Sequence, residues 1–200
     1  MSRLTAEEKK KYIANRVVPL TNDIDGGMFG DTAEIVEELL LAGSPDIVVI
    51  ISSLGGDSSA ALDIYDILDT YPGSKTAVVY SAARSGAAVI FQACDERLCA
   101  RHADILVHDV AADLILTDAH NPRKLAKWIR ERDKTQAKID RIFCERTSLP
   151  MSKIRALTVK NKKITASEAL KYNLIDRILT KADMAKHFRP GVLEKISKAA

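Results

Sequence analysis

Residues 46–58 read Asp46-Ile47-Val48-Val49-Ile50-Ile51-Ser52-Ser53-Leu54-Gly55-Gly56-Asp57-Ser58. Five consecutive β-branched aliphatics follow a single charge. A strand of that kind has no polar face, and a parallel sheet with helices packed on it is the arrangement that covers both sides. The segment Ser52 to Asp57 then turns the chain. From Ser58 to Leu68 the apolar residues Ala61, Leu62, Tyr65 and Leu68 recur at helical spacing.

The same alternation extends in both directions. On the N-terminal side, Thr5 caps a helix that runs to Asn15, and Arg16 to Leu20 is a brief strand. The turn Thr21 to Gly27 follows, then a helix capped by Asp31 or Thr32, with Ile35, Val36, Leu39 and Leu40 on one face. Gly43-Ser44-Pro45 ends it. On the C-terminal side, Thr76 to Tyr80 is a strand, Ser85 to Ala93 a small-residue buried helix, and Ile105 to Val107 a third short strand. Asn121-Pro122 opens the longest helix, to Thr147, since proline is tolerated in a first turn. Its charged middle predicts a projecting arm, the alternative being an ordinary exposed helix. Ser152 to Thr158 and Thr165 to Tyr172 are short helices, and Ile175 to Leu179 is a last strand. With no internal repeat and no linker, the 200 residues read as one α/β domain.

Composition narrows the function classes. The chain is 46% hydrophobic and 28% charged, enough to bury a core. Its formal charge of +3, with both signs interspersed, is no nucleic-acid footprint. Cys94, Cys99 and Cys144 are odd in number and lack paired spacing, so they read as free or buried thiols in a reducing compartment. No apolar run approaches the roughly 18–20 residues of a membrane helix, and no apolar stretch follows the N-terminal charges as a secretory signal would require. The expectation is a soluble cytoplasmic protein.

Four places could carry chemistry. Ser53-Leu54-Gly55-Gly56-Asp57 joins a buried strand to a helix, which suits an oxyanion- or phosphate-binding loop, or simply a tight turn; no lysine follows in Walker spacing. Ala82-Ala83-Arg84-Ser85-Gly86-Ala87-Ala88 places a hydroxyl at the head of an apolar helix, as a nucleophile beside backbone N–H groups or as a helix cap. His108 ends a strand, where open α/β sheets place ligands, or is a structural histidine. Asn161 sits in a polar segment and by itself is a loop asparagine. His102 reads as solvated, and His120 and His187 lack partners at ligand spacing, so no metal is assigned.

Taken in order, these pieces resemble the family of Clp protease proteolytic subunits, within the Clp/crotonase fold. The resemblance runs from Arg16 to Leu179. It is carried by Ile51-Ser52-Ser53-Leu54-Gly55-Gly56 with Ala61-Leu62-Asp63-Ile64-Tyr65-Asp66, by Ala83-Arg84-Ser85-Gly86-Ala87, and by Leu106-Val107-His108. Thr147-Ser148-Leu149-Pro150 and Thr165-Ala166-Ser167-Glu168-Ala169 with Leu174-Ile175-Asp176 complete it. The resemblance implies a repeated β-β-α superhelix with a projecting handle helix over residues 121–147, an N-terminal helix within residues 1–15 and a C-terminal tail over residues 181–200. It implies a serine peptidase with Ser85 as nucleophile, His108 as general base and Asn161 at the third triad position. Gly56 and Gly86 would form the oxyanion hole, and Leu54 and Gly55 would hold the substrate backbone. It further implies a homo-oligomer of two stacked heptameric rings enclosing a chamber, polypeptide substrates threaded by a separate AAA+ unfoldase that uses ATP, and no cofactor in this subunit.

The sequence departs from the family pattern at several points. Arg84 stands at the serine position in an ungapped overlay, whereas Ser85-Gly86 resembles the pairing in signal peptide peptidases. His108 follows Ser85 by 23 residues, slightly fewer than is usual. Asn161 replaces an aspartate, and an asparagine can orient an imidazole but cannot stabilise its cation by charge, a change that costs on the order of 10⁴ in rate in a serine protease with an aspartate. Asp109 is adjacent and could compensate, although on a strand it would face away from His108. Only 15 residues precede Arg16, so the family's axial loop is expected to be shortened. Two rival readings follow. One is a non-catalytic structural subunit of a mixed ring; the other is acyl-CoA chemistry of the crotonase type, which needs positioned acids and finds only Asp57 near the candidate loops.

Overall fold

The computed structural model describes residues 4–111 and 120–183; His187, the first three residues and most of the tail at 181–200 lie outside the described residues. The run at 46–53 forms β2 (Ile47–Ser53), flanked by β1 (Val17–Leu20) and β3 (Lys75–Arg84). The sheet continues through β4 (Glu96–Cys99) to β7 (Arg177–Ile178), every step parallel. A branch leaves the far end of β3: β5 (Asp104–Leu106) pairs parallel with it and antiparallel with β6 (Ile164–Thr165). The helices α1 (Ala6–Asn15), α2 (Gly26–Leu41), α3 (Ser58–Asp69) and α4 (Gly86–Phe91) alternate with the strands. They are followed by α5 (Pro122–Thr147), α6 (Met151–Lys160) and α7 (Ala166–Lys171).

One face of the sheet carries the main core, in which Val49, Ile51, Ala77 and Val79 meet Ile35 and Leu39 of α2, Ile64 and Leu68 of α3, and Phe91 of α4. The opposite face is thinner than an apolar run predicts. Among the described residues only Val17, Ile50, Val78 and Leu98 form a buried cluster there, with Tyr12, Val48, Tyr80 and Leu179 packed on it while partly exposed. A β-branched run specifies burial; it does not specify which element provides the cover.

Local chemistry explains the other differences from the sequence expectation. The second helix starts at Gly26, capped by Asp25, whose carboxylate accepts from Met28 N at 2.8 Å. It does not start at Asp31 or Thr32. Both are buried inside α2, where Asp31 accepts from Leu4 N and pairs with Lys9. β4 escapes a hydrophobicity reading because it contains Glu96 and Arg97, yet Arg97 is 4% exposed and bound to Asp176 and Gln92. β3 runs on to Arg84 because its pairing with β2 slips, from Ile51 opposite Val79 to Ser53 opposite Ala83. That slip carries the chain beyond the main sheet toward β5.

Helix α5 begins as its sequence predicts, with Asn121 accepting from Arg123 N and Lys124 N and proline in the first turn. None of its residues before Gln136 is buried. Gln136, Ile139, Asp140, Phe143 and Thr147 then form an inward stripe at spacings of 3, 1, 3 and 4. The helix therefore docks by its C-terminal half and projects by the other.

Candidate active site

At the junction of β3 and α4 the backbone of Ser85 adopts φ 52°, ψ −126°. A side chain at such a positive φ is strained, by about 1–3 kcal/mol, and strain of this kind persists only where its surroundings enforce it. Here the enforcement is visible. Ser85 N donates to Leu106 O at 2.9 Å, and Ser85 O accepts from Ala88 N at 2.9 Å. The hydroxyl makes no capping bond to α4, which removes the helix-cap reading. A serine on a sharp strand-to-helix turn, its Oγ uncommitted among the described residues, is the geometry of a nucleophile elbow.

The glycine loop is pressed against this turn. A Cβ at Gly55 (φ +99°) would lie 2.5 Å from Ser85 Cβ and 2.6 Å from Arg84 O, so only a glycine allows the approach. Gly56 is clamped on its other side by Ile24, whose N–H donates to Gly55 O and whose carbonyl accepts from Asp57 N. A Cβ at Gly86 would stand 4.0 Å from Gly56 N and 2.8 Å from Ala61 Cβ. Close helix packing and amide presentation thus coexist at Gly86. Neither Gly56 N–H nor Gly86 N–H meets a backbone acceptor among the described residues, and both glycines line the same cavity.

That cavity, of about 270 Å³, also takes in Ser85, His108 and Leu54. Apart from Ser58, its remaining wall is apolar: Val89 from α4, Val107, Val110 and Ala111 beside the histidine, Ile139 and Phe143 from the inward stripe of α5. Among the described residues no carboxylate lines it. Gly55 is not among its lining residues and serves instead in the close approach to Ser85, while Leu54 is 64% exposed at the rim. The candidates Ser85, Gly86, Gly56, Leu54 and His108 therefore converge.

Arg84 does not compete with Ser85 for this space. Its Nε and Nη2 donate to the two carboxylate oxygens of Asp104 at 2.6 and 2.7 Å, which also holds the guanidinium pKa above its ordinary value. Asp109 is likewise engaged elsewhere, with Arg155 of α6 at 2.9 Å. Arg155 also reaches Asp140, Asp140 accepts from Gln136, and Gln136 accepts from Val110 N. The two residues that follow the histidine are thus tied to α5 and α6, a network invisible in the sequence because the bonds made by Asp109, Val110 and Arg155 span 15 to 46 positions.

Asn161 is not brought into the cavity. It is exposed, at φ 45° and ψ 41°, as the left-handed residue that stops α6, a place asparagine suits. The observed pairing of β5 with β6 stops short of both Asn161 and His108. β5 and β6 pair antiparallel with Asp104 opposite Thr165 and Ile105 opposite Ile164, and the same register continued three residues sets position 108 opposite 161.

Two buried thiols, Cys94 and Cys99, lie in the core with pKa values pushed up to about 12 by burial. They are inert packing groups. No group of His, Cys, Asp and Glu that could hold a metal occurs among the described residues, and among those residues no helix is long and apolar enough to cross a membrane.

A model of the Clp protease family matches residues 5–182. The chain is 28% identical over 180 residues to the ATP-dependent Clp protease proteolytic subunit 2 of Streptomyces coelicolor, covering 87% of this chain and 80% of that one. It is 28% identical over 184 residues to the subunit of the same description from Leifsonia xyli, covering 85% and 77%. Its fold is that of a ClpP1 point mutant from Listeria monocytogenes, with a TM-score of 0.76 at 19% identity over 88% of this chain and 97% of that one. The strand–helix superhelix is of the Clp/crotonase type, and the chain belongs to the Clp protease family.

Proposed function

We propose that this chain is a serine peptidase subunit that hydrolyses peptide bonds of unfolded polypeptides. The observation that carries the reading is the strained Ser85 turn, its hydroxyl uncommitted among the described residues, in one cavity with His108 and two glycine amides. Ser85 Oγ attacks the carbonyl carbon while His108 takes its proton. The Gly56 and Gly86 N–H groups receive the charge that develops on the carbonyl oxygen, and His108 returns the proton to the leaving amine. Water then releases the acyl group by the same path reversed. Asn161 is the residue that would hold the other ring nitrogen. No hydrogen bond joins Ser85 Oγ to His108 among the described residues; nucleophile–base bonds are often long without substrate and tighten in its presence. The apolar wall of Val89, Val110, Ile139 and Phe143 suits an apolar substrate side chain.

In this reading the subunits form two stacked heptameric rings, and the unburied half of α5 is the handle between them. The sites face a chamber into which an ATP-using AAA+ unfoldase threads its substrates. Serine hydrolysis needs no cofactor in the subunit itself, and buried reduced thiols fit a cytoplasmic setting. The names of the two relatives, proteolytic subunits of an ATP-dependent protease, support this setting. One observation favours a second reading, a non-catalytic subunit of a mixed ring: Asn161 stands at a helix end, outside the cavity. Acyl-CoA chemistry has no such support among the described residues.

Labelling with a fluorophosphonate decides between the first two. The peptidase is expected to be modified at Ser85, with all modification lost in Ser85→Ala. An assembled particle that takes up no label at Ser85 would be the structural subunit.

A further inference from the structure

We propose that Arg84 and Asp104 form a positioning clamp that sets the register between the turn bearing Ser85 and the strand leading to His108. The inference rests on the peptidase reading for its catalytic consequence. β5 is only three residues long, and His108 stands two residues beyond its end. Three ladder pairs hold it to β3: Ala82 with Asp104, Ala83 with Ile105, Arg84 with Leu106. Ser85 N to Leu106 O adds one more bond at 2.9 Å. A slip of one residue would carry the histidine about 3.3 Å along the strand and turn its side chain to the other face. Either change takes it out of reach of Ser85 Oγ.

The ion pair is selective for the observed register. Arg84 lies opposite Leu106, and Asp104 is two residues back on the same face of β5, so the guanidinium crosses diagonally to both carboxylate oxygens. In a register shifted by one, the carboxylate would point to the opposite face and the pair could not form. Bidentate arginine–carboxylate pairing is directional as well as attractive, and both side chains are 22% exposed, shielded enough to resist screening by salt. The arginine that disturbs the nucleophile motif in sequence is, in this view, what aligns the nucleophile with its base.

The test uses the full chain and saturation kinetics of fluorophosphonate labelling at Ser85. Arg84→Ala and Asp104→Asn are expected to lower the maximal labelling rate by about tenfold to a hundredfold, with the half-saturating reagent concentration unchanged. Simple destabilisation would instead reduce the fraction of protein that labels. The exchanged pair Arg84→Asp/Asp104→Arg is expected to recover most of the rate. Arg84→Lys, which keeps the charge but loses the fork, is expected to recover less. In parallel, hydrogen exchange at the Ser85 amide should quicken in the single variants, a readout independent of activity. Folded single variants that label at the parent rate, or a Ser85 amide whose exchange does not respond, would overturn the clamp. A parent protein that never labels, with an amide that does respond, would overturn the peptidase and leave the clamp standing.

Discussion

The backbone angles of Ser85 and those of Asn161 bear on the same question from opposite sides. Ser85 is held in strained space, and its hydroxyl has no partner among the described residues. Asn161 occupies a left-handed position that asparagine fills for local reasons, with no need of a catalytic role. What connects the two is register, since 161 falls opposite 108 when the β5–β6 pairing is extended. If Asn161 swings onto the His108 ring in the working particle, replacing it by a carboxylate restores charge stabilisation of the imidazolium. Asn161→Asp is therefore expected to raise the Ser85 labelling rate, by up to about 10⁴-fold. An unchanged rate would mean that position 161 stays at the helix end throughout turnover.

Helix α5 does two jobs with two halves. The first half is highly charged and unburied, while the second inserts Ile139 and Phe143 into the main core, where they also form the cavity floor. Phe143, 1% exposed, is thus shared between the core and the candidate cavity. Phe143→Ala is expected to cost about 3–5 kcal/mol in urea unfolding and to shift cleavage toward larger apolar side chains in a peptide library. A loss of stability with no change in preference would show that the wall does not contact substrate. The apolar spacing of this helix was legible in the sequence. That its inward stripe closes a site built by β3 and β5 was not, because periodicity identifies a buried face without naming what it meets.

For the molecule as a whole, the C-terminal segment is fastened to the sheet by carboxylates. Burial alone would raise the Asp176 carboxyl, but bonds from the Arg97 guanidinium and backbone N–H outweigh it and hold the pKa below its ordinary value. The Thr180 hydroxyl, aided by Thr180 N–H and Arg177 and opposed by burial, holds Asp183 at about 2. A carboxyl depressed on folding stabilises the fold above its unfolded pKa and ceases to do so as pH falls through the folded one. The urea midpoint is therefore expected to be flat above about pH 5 and to fall between about pH 4 and pH 2. Asp176→Asn should lower the plateau and flatten that fall; an identical acid limb in the variant would rule out this fastening.

The amino-acid sequence alone determined the α/β class, the glycine loop and the long projecting helix, and singled out Ser85 and His108 as candidates. Each of these is written in neighbouring residues, as β-branched runs, 3/4 spacing, glycine pairs and caps. Only the tertiary structure decided that Arg84 turns away to Asp104, that Gln136 and Arg155 brace the segment after His108, and that the described residues cover one sheet face thinly. Those outcomes depend on which distant strand or helix arrives alongside, and an ion pair or a covering layer is a property of that meeting, which no local window of the chain contains.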